Sequence, residues 1–296
     1  MFEKKYNPLP GFGLTMGYTI FYLSALVLIP IAALFLKTFE MSWSEFWKLV
    51  TEERALAAYK LTFGAAGIAA VINALMGTLL AWVLVRYEFP GKRFIDALVD
   101  FPFALPTAVA GLTLSNMFAA NGWLGRWLFA PESWFGLHVF GSAGFLGSHF
   151  PPDGIKGAYS PLAVVIALTF VGLPFAVRTL QPVLQNLERE VEEAAATLGS
   201  SRLRTFCAIL MPTLFPTIVT GFALAFARAV GEYGSIVFVS GNLPFKTEIA
   251  PYLIVIRLEQ FDVHGAVAIA AVLMIISFLI LACINWLEVW ASRFNQ

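Results

Sequence analysis

Long runs without a single charge alternate with short polar punctuation along this chain. Residues 14–36, 61–85, 101–120, 160–177 and 265–287 contain no Asp, Glu, Lys or Arg, and 213–239 is interrupted only by Arg228 and Glu232. Crossing about 30 Å of hydrocarbon takes roughly 20 helical residues, so the pattern predicts six membrane spans. The third and fourth are broken up by prolines. Lipid offers no partner for an unpaired N–H or C=O, which leaves helices or a closed barrel. The short alternating segments of a barrel are not present. The predicted fold class is an all-α membrane protein, with residues 1–296 forming one membrane domain.

Composition agrees with that pattern. Hydrophobic residues make up 59% of the chain and charged residues 13%, about half the share usual in a water-soluble protein. A net charge of zero gives no global field to recruit nucleic acid. Cys207 and Cys283 fall in or beside apolar runs and do not suggest a disulfide framework. The basic start MFEKKYNPLPGFG is like that of a signal peptide, but the apolar run behind it is too long and lacks a clear cleavage site. It is expected to be retained as the first span. Residues 43–60 read as an amphipathic interfacial helix with Trp43 and Trp47 as belt residues. The stretch 121–159 is rich in Gly, Pro and aromatics, and its apolar piece 139–150 is too short to span. Interfacial packing explains both segments, and receiving an external partner is the alternative.

Charge counting orients the chain only weakly. With the N-terminus inside, cytoplasmic segments hold about ten Lys and Arg against eight outside, Arg178 being counted at a boundary. The segment 187–212 is more informative. Val191, Ala194, Ala195 and Leu198 recur at helical spacing. Glu188, Glu190, Glu192 and Glu193 load the opening turns, where a helix N-terminus favours negative charge. Gly199 suits the left-handed position that ends a helix. A short basic helix over 202–210 then leads to Pro212. Such an elbow is shaped to dock in a groove of a cytoplasmic protein.

Glu193-Ala194-Ala195, Gly199, Ile209 and Pro212 stand at the spacing of the "EAA" loop, with Met211 where a Leu is usual. On this motif the chain resembles the permeases of bacterial ABC importers. The resemblance extends to DFPFALPTAVAG at 100–111, GEYG at 231–234, GNLPFKTE at 241–248 and VIRLEQFD at 255–262. These segments look very like the T-type subunit of the sulfate/thiosulfate permeases, and the similarity covers most of 41–287. The resemblance implies a type I importer fold in the bacterial inner membrane, with both termini cytoplasmic. It also implies a W-type permease partner, two ATP-binding subunits and a periplasmic sulfate-binding protein. Molybdate permeases share similar segments, and molybdate or tungstate transport is the alternative. An ion-gradient-driven carrier would call for an inverted repeat, and none is visible. The only Gly-Lys pair, Gly91-Lys92, is not part of a phosphate-binding loop, so ATP and Mg are expected on the partner ATPases and no cofactor on this chain.

Four residues stand out as candidates for the translocation pathway or its gate. Arg228 and Glu232 lie one helical turn apart at membrane depth, where ionisable groups need a partner or a watery path. Either they fix helix packing as an ion pair, or Arg228 lends a partly compensated positive potential to an anion. Pro102 and Pro106 remove two backbone donors and should bend the third span, as packing or as a gate. Thr113, Ser115 and Asn116 are weaker candidates, more in keeping with helix-packing polar residues. His138, His149 and His264 have no metal-ligand spacing, and no nucleophile–base pair is visible, so no catalytic or metal site is expected.

Overall fold

The computed structural model describes residues 11–129, 156–187, 193–195 and 197–292. The helices are α1 (Phe12–Phe39), α2 (Trp43–Val50), α3 (Glu53–Arg86), α4 (Lys92–Val99), α5 (Phe101–Ala104), α6 (Thr107–Phe118), α7 (Trp123–Leu128) and α8 (Pro161–Asn186). After them come α9 (Arg202–Thr205), a π-helical turn (Phe206–Leu210), α10 (Met211–Val230), α11 (Ile236–Val239), α12 (Ala250–Glu259) and α13 (Val263–Ser292). No strand occurs among the described residues. Among the described residues, five helical runs are long and apolar enough to cross a membrane: Phe12–Phe39, Glu53–Arg86, Pro161–Asn186, Phe206–Val230 and Val263–Trp286.

The core is a three-helix scaffold of α3, α8 and α10. Lipid tails are as apolar as leucine, so burying leucines cannot by itself hold such helices together. Small residues that let backbones approach do that work instead. Ala66, Ala69, Ala70, Ala74, Gly77 and Ala81 line the buried stripe of α3. Across the seams Gly77 faces Ala176 of α8, Gly172 of α8 faces Asn73 of α3 and Ala225 of α10, and Gly221 of α10 faces Ala176. The approach leaves no room for a side chain at Gly77: a Cβ there would lie 2.7 Å from that of Ala176. Helix α1 has no buried residue and packs along α13, outside the scaffold.

Three expected segments take a different form. Residues 101–120 do not make one helix: α5 stops at Ala104, Leu105 is extended (φ −85°, ψ 133°) and α6 starts afresh at Thr107. Pro106 drives the residue before it out of the helical region. In 213–239 the helix ends at Val230, and residues 231–235 separate it from α11. Residues 43–60 split at Thr51–Glu52, so only α2 stands apart and Glu53 already opens the second long helix. The Ser42 hydroxyl caps α2 by accepting the Glu45 N–H at 3.2 Å. Helix α8 runs on from 177 to Asn186 despite Pro174 and Pro182. The short basic helix at 202–210 passes through the π turn into α10 without a break.

Candidate functional site

The elbow begins where α8 ends. Gly199 has φ +81°, the left-handed conformation, and the Ser200 N–H reaches back to the Ala195 carbonyl at 3.0 Å. That six-residue closure is the Schellman ending expected of a helix with glycine at C′. Ala195 is buried, whereas Glu193, Ala194, Leu198 and Gly199 are exposed. Leu198 presents 88% of its surface. Beyond the turn Ile209 is half-buried and Pro212 exposed. Both limbs rest on the end of α3: Arg86 donates to the Leu187 carbonyl at 3.4 Å, and Trp82 meets Phe206 edge-on at 5.6 Å. Val191, Glu188, Glu190 and Glu192 lie outside the described residues, as do His138, His149 and the rest of 130–155.

Arg228 and Glu232 do pair, through Nη1 and Oε2 at 2.5 Å, but across the end of α10 rather than along a continuing helix. Glu232 is 2% exposed, and its other oxygen accepts both the N–H and the hydroxyl of Ser235 at 2.9 Å. The carboxylate therefore ties the last turn of α10 to the first turn of α11. The interrupted third helix is seated on this same break. A Cβ at Gly234 would fall on the Thr107 hydroxyl, and one at Gly111 on the Ser235 carbonyl. Both broken helices thus meet at 107–111 and 231–235, where the glycines permit direct backbone approach. Nearby, the Ser115 hydroxyl donates to the Tyr159 hydroxyl at 2.9 Å, and Asn116 donates to Leu112 of its own helix. Thr113 is exposed.

Pro102 sits in the first turn of α5, where a missing N–H costs nothing, and Pro106 forms the break itself. Phe103 packs edge-on against Phe175 of α8 at 5.2 Å. Below it lies a polar cluster. Arg178 of α8 donates from Nε and Nη2 to the two Asp100 carboxylate oxygens at 2.7 and 2.6 Å. It also donates to the Asp96 carboxylate at 2.7 Å, the Asp96 carbonyl at 2.8 Å and Gln181 Oε1 at 2.5 Å. All five guanidinium N–H groups are thereby used. Gln181 returns a bond to Asp96 at 3.0 Å. That bond and the Arg178 contacts hold the Asp96 carboxyl below its ordinary pKa of 3.8, against the opposing effect of burial.

Helix α3 starts at the opposite end of the scaffold, and there Arg54 grips Glu248 with bonds of 2.8 and 2.7 Å, Glu248 being 2% exposed. Arg257 bridges Glu52 and Asp262, and His264 lies 3.1 Å from Glu45. The GNLPFKTE segment is thus an anchor: Thr247 accepts the Leu243 N–H at 2.8 Å while Glu248 holds α3.

With this geometry in hand, residues 73–293 match the family model of the binding-protein-dependent transport system inner membrane component. The chain belongs to this family. It is 42% identical to the sulfate transport system permease protein CysT of Escherichia coli (strain K12), over 97% of this chain and 95% of that protein. A probable sulfate transport system permease protein cysT of Nephroselmis olivacea is 48% identical, over 93% of this chain and 89% of its own length. Among solved structures, a bacterial ABC transporter involved in the import of the acidic polysaccharide alginate superposes with a TM-score of 0.70. That match covers 96% of this chain and 95% of the other at 16% identity, and it carries the fold. This permease is a multi-pass membrane component with the type I importer architecture.

Sequence reading found the elbow and the Arg228–Glu232 pair but missed the Arg178 cluster and the Arg54–Glu248 anchor. Asp100 and Glu248 stand at the ends of two segments that carry the family resemblance, and Arg178 at the edge of a charge-free run. Their partners lie 78 and 194 residues away, a distance that no local spacing reports.

Proposed function

We propose that this permease is the membrane-spanning T-type subunit of an ATP-driven importer of sulfate and thiosulfate. The observation that carries the reading is the 42–48% identity to sulfate permeases along nearly the whole chain. In this reading the six spans, counting the broken third one, put both termini in the cytoplasm of the bacterial inner membrane. The elbow at 187–212 docks into a separate ATPase through Glu193, Ala194, Ala195, Gly199, Ile209 and Pro212. A W-type permease, two ATP-binding subunits and a periplasmic sulfate-binding protein complete the machine. ATP and Mg belong to the ATPases, and this chain does no chemistry of its own.

The anion crosses along the broken helices. Arg228 keeps a third of its side chain exposed while Glu232 is almost wholly buried. An arginine already neutralised on one side attracts a dianion without holding it, and a conducting path needs that weakness. Pro102 and Pro106 shape the gate beside it, because a helix interrupted at Leu105 can change its angle without breaking further hydrogen bonds.

The test is uptake of labelled sulfate into liposomes holding this chain, its co-purifying permease and the ATPases, with and without binding protein. ATP-dependent uptake that thiosulfate competes away is expected. Uptake of molybdate but not sulfate would keep the machine and overturn the substrate, and uptake without any ATPase would overturn the mechanism.

A further inference from the structure

The Arg178 cluster lies between the elbow and the broken third helix. Arg178 stands on α8, eight residues before its C-terminus at Asn186, and the elbow begins directly after. Its two carboxylate partners are on the other side: Asp96 is in α4, and Asp100 is the residue between α4 and α5. Helix α8 is weakened at this level, because Pro182 has no N–H to give to the carbonyl of residue 178. A cavity of about 590 Å³ flanks it, lined by Glu88, Lys92, Asp96, Gln181 and Gln185 among others. On its other side the same helix end is packed, with Leu180 and Leu184 fully buried among Leu84, Val99 and Leu214, so a push on the elbow is passed to the whole of this end. Four bonds from Arg178, two to Asp100 and two to Asp96, add a polar clasp that ties this end to α4 and the start of α5. Edge-on packing of Phe103 on Phe175 continues the tie one turn further along.

We propose that Arg178 is the positioning residue that carries displacement of the elbow into the broken third helix, and so into the gate. The inference rests on the ATP-driven reading above. When the ATPases move the elbow, the end of α8 moves with it, and Arg178, one turn before Pro182, drags α4 and the α5–α6 break along. The guanidinium suits this because its planar fork binds both Asp100 oxygens while its remaining donors hold Asp96. A lysine could hold only one partner at a time with comparable geometry.

The experiment measures sulfate transported per ATP hydrolysed by the reconstituted full transporter carrying Arg178→Ala. A scaffold residue would lower assembly, and with it uptake and hydrolysis in proportion; a coupling residue lowers the ratio. The ratio should fall about tenfold or more, within the usual range for energetic coupling between sites, while hydrolysis stimulated by the binding protein persists. Exchanging the charges, Arg178→Asp with Asp100→Arg, should recover part of the ratio. If Arg178→Ala does not assemble, Arg178→Lys takes its place, and a fall of several-fold is expected. A wild-type ratio in whichever variant assembles, or a loss of uptake matched by an equal loss of hydrolysis, would overturn the assignment. Absence of ATP-driven sulfate uptake by the unaltered transporter is a separate result, and it would overturn the functional reading on which this one rests.

Discussion

The scaffold of α3, α8 and α10 and the broken pair around 101–118 and 231–239 are built from similar residues to opposite ends. In the scaffold, Gly77, Gly172 and Gly221 sit inside unbroken helices and let them close on one another. In the broken pair, Gly111 and Gly234 bring a helix against backbone that is no longer helical, and Pro106 and Gly231 interrupt the ladder. The first use of small residues removes freedom and the second leaves it. Polar groups divide in the same way. Thr78 and Thr179 of the scaffold return their hydroxyls to their own helix, whereas Glu232 and Ser235 bond across a break. The close-packed and the interrupted parts of this bundle can thus be told apart by where the helical backbone bonds stop.

Substitutions should separate the two regions. The largest effect is expected from Gly77→Leu, which forces the α3–α8 seam apart. Overpacking costs about 1–3 kcal/mol, enough to cut the yield of monodisperse protein in size-exclusion chromatography. Gly64→Leu on the same helix, where nothing lies within 4 Å, should leave the yield unchanged. Equal behaviour of the two would mean that the seam is not the scaffold.

Glu232→Ala comes next. It strips Arg228 of its partner and leaves the Ser235 N–H and hydroxyl without an acceptor, and an unsatisfied buried group costs about 1–3 kcal/mol. Glu232→Gln keeps an acceptor for Ser235 and loses only the charge. Thermal midpoints should therefore fall in the order wild type, Gln, Ala. A Gln variant as damaged as the Ala variant would show that the charge, not the tie to Ser235, holds the break.

Pro106→Ala should leave the protein level intact while altering uptake, because alanine no longer forces Leu105 out of the helical region. Wild-type uptake would make the interruption dispensable. The smallest effect concerns pH. Asp96 titrates below 3.8, so the stability from its charged form is in place above the ordinary carboxylate range and is lost only as pH falls through its still lower folded value. Transport per ATP should thus be unaffected by internal pH between about 5 and 8 on account of this residue. A loss of coupling that Asp96→Asn abolishes would contradict that placement of the titration.

Much of this was legible in the sequence, and the physical reason is the solvent. Lipid makes charge so costly that a span shows itself as a charge-free run, and glycine at the end of the elbow advertises its positive φ. The breaks were only half visible. Pro102 and Pro106 announced a bend in the third span, but nothing local to Gly231 distinguishes a helix end from a helix with close packing, and both readings fit GEYG. The Arg178 clasp was hidden for another reason: its partners are brought together by the packing of α4 on α8, which follows from the fold and not from any periodicity.

In the proposed function the close-packed scaffold conveys work done by another chain to the broken helices, through the elbow that Gly199 closes. The most direct test is labelled sulfate uptake by the reconstituted transporter with ATP sealed inside, comparing wild type with Gly199→Asp. The substitution places a charged side chain at an exposed turn with open space around it and φ +81°, so the bundle itself should still assemble. ATP-dependent uptake by wild type and none by Gly199→Asp is expected, with the subunits co-purifying in both. Undiminished uptake by Gly199→Asp, or uptake by wild type with the ATPases left out, would contradict it.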